Sequence, residues 1–332
     1  MGLLGTMSAV GTALGPSLGG VLIAGPGWRA LVYINVPLGV VTFLVVHRYL
    51  PVDHRQAKTD RAGFDTVGTL LLALTLSAYA LAVTVGRGSF GALNLALLWT
   101  AALGVALFVL TEAKVESPLI RLQMFHDPTL RASLATSALV TTVMMATLVV
   151  GPFYLSRALG LDAARVGLVL SVGPLAAALT GVPAGRLADL VGAPRAIIIG
   201  LIAMVIGCFV LSALPATLGI AGYVAPIVVI AVGYALFQTA NNTAVMADIR
   251  TDQRGVISGV LNLSRNLGLI TGASMMGAVF AFASLTTDIT ATRPAAVATG
   301  MRITFALAAG LILVALGIAA RTHGHTLRGH RR

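Results

Sequence analysis

The side chains in this sequence that could handle a small molecule lie inside long apolar runs. Arg265 stands about 14 Å into one run that begins near residue 256, counting 1.5 Å per helical residue. Asn262 and Asn266 flank it, and Gln238, Asn241 and Asn242 fall in the preceding run. An arginine at membrane depth costs at least ~2.5 kcal/mol on insertion scales. It must therefore face protein or a wet cavity, or else snorkel to the interface. The amides either line a path for a substrate or hydrogen-bond between helices, the latter worth about 0.6 kcal/mol each. Neither use is catalysis. An enzyme at membrane depth would need a nucleophile with its base, or a group of metal ligands. The runs hold no acidic pair, and their histidines lie only at or near the ends. Of the eleven Asp and Glu residues, Glu112 and Asp248 reach deepest, both near the ends of runs. No metal site, cofactor site or coupling carboxylate is expected from these residues.

Two other patterns carry mechanical chemistry. Gly11, Gly15 and Gly19 recur every four residues and give one helix a smooth face, continued by Gly20, while Pro16 removes a backbone hydrogen bond and bends the axis. Such a face either packs closely against another helix or forms an interface that changes with conformational state. The second pattern is Gly185-Arg186-Leu187-Ala188-Asp189-x-x-Gly192-x-x-Arg195. Its Asp189 can interact with the positive dipole end of the next helix, or it belongs to a loop that caps the helix and fixes topology. Asp65, before Thr66 and Gly68, reads as a helix N-cap. Other matches are discarded. Gly86-Arg87-Gly88-Ser89-Phe90-Gly91 follows an apolar run rather than a strand, so it is no nucleotide loop. Asn241-Asn242-Thr243 and Asn262-Leu263-Ser264 match the glycosylation pattern but lie inside apolar runs. His323, His325 and His330 belong to a solvated basic tail near anionic lipid.

The elements that must position these residues follow from composition. Hydrophobic residues make up 57% of the 332, and charged residues only 10%, against roughly 25% charged in a soluble domain. Too few charges remain to coat a globule of this size, so lipid is the expected solvent. Runs long enough to span a bilayer at about 20 residues each occur at roughly 3–24, 30–50, 66–86, 93–113, 132–155, 165–185, 196–214, 222–245, 256–283 and 300–320. They are continuous, and too long for barrel strands of about 10 alternating residues. Helix is then forced, because every backbone N–H and C=O must find its partner within the segment. The expected class is an all-α polytopic membrane protein.

With Met1 placed in the cytoplasm, fifteen Lys and Arg residues fall in inner gaps and six in outer ones, in keeping with the positive-inside rule. Both termini are expected to be cytoplasmic. The net charge of +11 lies in these short gaps, with no basic face interleaved with aromatics, so nucleic acid is not an expected partner. The single Cys208 can form no intrachain disulfide.

Gly11-x-x-x-Gly15 and Gly20 align with Gly268-x-x-x-Gly272 and Gly277 at a constant offset of 257 residues. Internal repeats are the usual construction of secondary transporters. If the ninth run is the fifth helix of a six-helix half, the first run is the fifth helix of the other. Four helices are then expected to precede Met1. On this reading residues 1–50 are the last two helices of an N-terminal half, and 51–131 a central helix pair with cytoplasmic loops. Residues 132–320 are the C-terminal half and 321–332 a basic tail.

These residues resemble the major facilitator superfamily, and within it the fourteen-helix drug:proton antiporter family. Gly11 to Gly20 (GTALGPSLGG) looks like its antiporter motif. Trp28-Arg29, Asn35, Pro37 and Gly39 are similar to its W-R-x-x-F-x-x-N-x-P-x-G, with Val32 where Phe is usual. Asp65-x-x-Gly68-x-x-Leu71-Leu72 resembles the start of its central helix pair. Gly185 to Arg195 looks like the second-half copy of its cytoplasmic gating loop, and Phe237 to Asn242 and Arg265-Asn266-x-Gly268 also fit. The resemblance implies a major facilitator-type bundle in the cell membrane, with about ten of fourteen helices in this chain. It also implies efflux of drugs or other small hydrophobic or cationic compounds by alternating access, driven by a proton gradient. The alternative is a non-transporting remnant, or a half-transporter that needs a partner chain.

Overall fold

A computed structural model describes residues 27–49, 65–85, 91–115, 118–213, 215–247, 249, 253–284 and 294–329, with the single positions 19 and 22. All regular structure among these residues is helical. In chain order the helices are α1 (Trp28–Tyr33), α2 (Asn35–Tyr49), α3 (Thr66–Thr84), α4 (Ala92–Glu112), α5 (Pro128–Phe153), α6 (Ala163–Val191), α7 (Ala193–Ala213), α8 (Gly219–Met246), α9 (Arg254–Ala283) and α10 (Pro294–Gly329).

Eight of these, α3 to α10, are long and apolar enough to cross a membrane, two fewer than the sequence leads one to expect. The expected span at 3–24 lies outside the described residues, apart from positions 19 and 22. That at 30–50 is divided into α1 and α2, interrupted at Ile34 three residues before Pro37, whose missing N–H weakens the helix there. The segment expected as a basic tail continues the last helix as far as Gly329. Asp65 does cap α3, accepting from the Gly68 N–H at 2.7 Å.

Lipid tails are as apolar as leucine, so helices associate in a bilayer by close packing of small residues and by interhelical hydrogen bonds rather than by hydrophobic expulsion. Both devices are at work here. Where α7 crosses α8, a side-chain carbon added to Gly200 would stand 2.7 Å from the Gly233 carbonyl oxygen, and one added to Gly233 would stand 2.6 Å from that of Gly200. Where α9 crosses α5, a carbon on Gly272 would lie 2.8 Å from the Thr142 Cα, and one on Gly268 3.0 Å from the Ala138 Cα. Two hydroxyls then bridge the α5–α9 contact. Thr142 Oγ1 donates to the Gly268 carbonyl at 3.0 Å and Ser264 Oγ to the Leu134 carbonyl at 2.7 Å.

Helices α5 to α10 pack on one another, α5 with α9 and α10, α7 with α8 and α10, and α6 with α8. Their main core gathers Val140, Leu201, Met204, Tyr223, Ile230, Phe280, Phe305 and Ile312. Helices α3 and α4 pack as a pair. Asn94 near the start of α4 donates to the Ala82 carbonyl at 2.7 Å and the Val85 carbonyl at 2.5 Å. This pair meets α9 through Tyr79 Oη and Thr271 Oγ1, 2.5 Å apart, and through Ser274 Oγ donating to the Val83 carbonyl at 2.5 Å. Much of the remaining surface of these helices is apolar, with Leu103 and Phe209 among the large exposed side chains.

The backbone contact at Gly272 yields a prediction. Gly272→Leu overpacks the α5–α9 crossing and should lower stability by roughly 2 kcal/mol. Gly310→Leu, where no heavy atom lies within 4 Å of the added carbon, should leave stability unchanged. Thermal unfolding in detergent checks this, and equal melting of the two variants would contradict it.

Candidate functional site

Polar groups inside an apolar bundle gather where one helix face carries them at helical spacing. On α9, Arg254, Ser258, Asn262 and Arg265 follow at intervals of four, four and three residues, which stacks them on a single face. Opposite them the last two turns of α8 present Asn242, Thr243 and Met246. Between the two helices lies a cavity of about 440 Å³ lined by these residues with Ala247 and Leu261. It sits at the end of the bundle where α8 leads into α9.

Arg265 is half-buried, and its Nη2 donates to Asn242 Oδ1. Its guanidinium is turned toward α8 and lines the cavity. Tyr234 on α8 lies within its electrostatic reach. Among the described residues the lining contains two guanidinium groups, those of Arg254 and Arg265, and no carboxylate. A molecule held there meets guanidinium, amide and hydroxyl groups, with positive charge predominating among the described lining residues.

The residues expected along a substrate path separate into three groups. Asn242, Asn262 and Arg265 share the cavity just described. Asn241, one residue on from Ala240, belongs to a smaller cavity of about 80 Å³ with Thr129, Ser133 and Thr136. There Asn241 Nδ2 donates to Ser137 Oγ at 3.0 Å, and its Oδ1, buried, has no partner among the described residues. Gln238 and Asn266 line neither cavity; Asn266 is exposed and donates to the Asn262 carbonyl of its own helix at 2.9 Å. Arg254 and Ser258 were missed as lining residues, although the four-residue spacing from Ser258 to Asn262 was available in the sequence.

The residues expected as a gating loop are helical: Arg186 and Asp189 lie in the last turns of α6 and Arg195 in the first turn of α7, all exposed, and no hydrogen bond or ion pair joins them to one another among the described residues. Gly192 ends α6 with φ at +86°, a left-handed conformation that glycine adopts without strain. Its N–H donates to the Ala188 carbonyl at 3.0 Å, and the chain turns straight into α7. A carbon on Gly185 would lie 4.0 Å from Thr239 Cγ2, ordinary contact with α8. In the glycine face near the start of the sequence, Gly11, Gly15, Pro16 and Gly20 lie outside the described residues. Gly19 is helical and half-buried. The later copy, Gly268 and Gly272, is used for close packing of α9 on α5.

Among the described residues no group of three or more His, Cys, Asp or Glu side chains is placed to hold a metal. The acidic residues are not all isolated, however. Asp65 and Glu112, at the ends of neighbouring helices, come together at Gly68, a pairing across the helix pair that reading each run separately does not reveal.

Comparison with known proteins agrees with this architecture. The family model of the Major Facilitator Superfamily matches residues 1–273. The uncharacterized transporter YebQ of Escherichia coli is 29% identical over 83% of this chain and 60% of its own length. Multidrug resistance protein Stp of Mycobacterium tuberculosis is 29% identical over 85% of this chain and 52% of its own. The drug efflux pump JefA of the same species is 30% identical over 82% of this chain and 53% of its own. The chain thus spans between about half and three-fifths of the length of these curated relatives.

The cavity can be checked by thiol labelling. Cysteine placed at Ser258 or Asn262 should react with a water-soluble methanethiosulfonate at least about tenfold faster than cysteine placed at Ile257, because buried thiols are inert and Ile257 is 1% exposed. Cys208 is fully buried and gives no background. Equal labelling at the three positions would remove the cavity.

Proposed function

This chain belongs to the Major Facilitator Superfamily, and we propose that it serves as a secondary active exporter of small hydrophobic compounds, working by alternating access in exchange for protons. The observation that carries this reading is the arginine-lined cavity at the α8–α9 contact. A bundle whose outer surface is apolar has no structural need for a hollow of about 440 Å³ furnished with Arg265, Asn242 and Asn262, and an intramembrane arginine is costly unless it is used. The names of the relatives, a multidrug resistance protein and a drug efflux pump among them, support export over import.

The charge of the cavity narrows the substrate class. A drug that carries carbonyl or ring-nitrogen acceptors on an apolar body would be held by the Arg265 fork while its body lies on Met246 and Leu261. Cationic compounds, admitted by the resemblance alone, are disfavoured at this end of the path. The exposed Arg186, Asp189 and Arg195 are the groups we assign to gating, since side chains without partners among their neighbours are available for pairing in one transport state. We further assign residues 1–50 and 132–320 to two facing halves, α3 and α4 to the linker between them, and both termini to the cytoplasmic side of the cell membrane. Completion by four further helices, for fourteen in all, is part of the same proposal.

Uptake of a fluorescent hydrophobic dye into everted membrane vesicles tests it. Arg265→Leu should reduce transport about tenfold or more, which corresponds to about 1.4 kcal/mol, with the protein still inserted in the membrane. Arg265→Lys keeps the charge but loses the planar fork and should fall between. A protonophore should stop transport by the unaltered protein. Undiminished transport by Arg265→Leu would overturn the role of the cavity, and transport indifferent to the proton gradient would overturn the exchange.

A further inference from the structure

Two carboxyl groups meet at one end of the α3–α4 pair, and each is satisfied on one side only. Asp65 Oδ1 accepts from the Gly68 N–H at 2.7 Å, capping α3. Glu112 ends α4, and its Oε2 accepts from the Ile120 N–H at 3.2 Å, in the connection that leads on to α5. The two remaining oxygens, Asp65 Oδ2 and Glu112 Oε1, are buried and have no hydrogen-bond partner among the described residues. Both are directed to the same place: a side-chain carbon added to Gly68 would stand 2.7 Å from Glu112 Oε1 and closer still to Asp65 Oδ2. The two carboxyls are within hydrogen-bonding reach of each other.

Glu112 is only 4% exposed. A buried acceptor with no donor costs about 1–3 kcal/mol, and more when charged. Two like charges about 4 Å apart repel by about 4 kcal/mol at an effective dielectric constant of about 20, so a close pair of carboxylates is unfavourable. No cation pairs with them among the described residues. Among the described residues the charged groups on the elements packed around the pair are Lys114, Arg121, His126 and Asp127 after α4, Arg131 on α5, and Arg254 and Arg265 on α9. All but Arg265 are exposed, and Arg265 is bonded to Asn242. The Glu112 carboxyl interacts with Asp65 and with the backbone of Ile120 and Leu119.

We propose that Asp65 and Glu112 bind one proton between Oδ2 and Oε1, a proton site in the helix pair distinct from the arginine-lined cavity. Helix polarity decides which residue carries it. Asp65 sits at the N-terminus of α3, where free N–H groups and the positive dipole end favour a carboxylate. Glu112 sits at the C-terminus of α4, where the negative dipole end disfavours one. Glu112 is therefore the acid, its Oε1–H donating to Asp65 Oδ2, and the pair holds a single negative charge. A metal ion is a poor occupant, since even calcium takes six or more oxygen ligands and two are free here. Phe108, Ile120 and Val260 cluster beside the site and limit the entry of water.

Loss of the proton leaves two like charges facing each other and frees the Glu112 carboxyl to leave the Ile120 N–H. Ile120 packs with Val260 of α9, so the proton couples the seating of the α3–α4 pair to the helix that carries Arg265. The site stands whether or not the exporter reading holds.

Infrared difference spectroscopy on the chain in lipid nanodiscs, titrated with pH, tests the proposal. The unaltered protein should show a protonated-carboxyl C=O band that disappears as pH rises. Glu112→Gln, whose amide can donate to Asp65 Oδ2 in place of the proton, should lose the band and melt at a temperature independent of pH. Asp65→Asn removes the second charge while keeping a capping side chain, and should melt higher than the unaltered protein at high pH. A band that survives in Glu112→Gln would overturn the proposal. So would Asp65→Asn melting below the unaltered protein at high pH, or a melting temperature that follows added sodium rather than pH.

Discussion

A backbone amide in hydrocarbon has no water to turn to, and this fact organises the whole chain. Each span must be helical and must bond itself, so the sequence is free to use Val, Ile and Thr at positions where they would weaken a helix in water. Thr75, Thr84, Thr100, Thr111 and Thr243 return their hydroxyls to the carbonyl four residues back. Once the helices are fixed, side chains have only packing and directed hydrogen bonds with which to hold them together. The Gly200–Gly233 and Gly272–Thr142 crossings supply the first, and Ser264, Ser274 and Asn94 supply the second. Burial of large apolar side chains is concentrated in one cluster, while much of the apolar surface faces outward.

This economy makes each internal polar group informative. Asn94 and Ser274 serve structure, tying α4 to α3 and α3 to α9. Asn242 and Arg265 face a cavity, and their bond to each other orients the guanidinium without consuming all its donors. Asp65 and Glu112 form a third kind of group, in which helix ends of opposite polarity meet and a proton resolves the conflict of charge. Helix α9 touches the glycine crossing on α5, the helix pair through Thr271 and Ser274, and the cavity through its polar stripe. A small shift of this one helix would be felt at all of them.

Helix placement was legible in the sequence because lipid leaves the backbone no alternative. Runs of about 20 apolar residues named each span from α3 to α10, with α6 and α10 running well past the expected ends, and Asp65 was identified as a cap from its place before Thr66. The break at Ile34, the helical extension to Gly329 and the division of the candidate polar residues were not. Asn241 and Asn242 are adjacent in sequence, but a helix turns about 100° per residue and sends them to different cavities. Only pairing with a second helix decides which cavity each of them meets. The Asp65–Glu112 contact was hidden for the same reason: the two residues are separated by the whole length of two helices and brought together by antiparallel packing. The glycine repeat carried its structural meaning openly at Gly268 and Gly272, where small size is what the crossing demands.

The central claim is that lipid, not water or protein, is the medium around the described helices. A nitroxide placed at Leu103 or Ile202, both outward-facing, reads this directly by electron paramagnetic resonance in liposomes. The account requires that its relaxation be enhanced by lipid-soluble oxygen and left unaffected by a water-soluble nickel chelate. Strong enhancement by the chelate, with little by oxygen, would place these faces in water and contradict it.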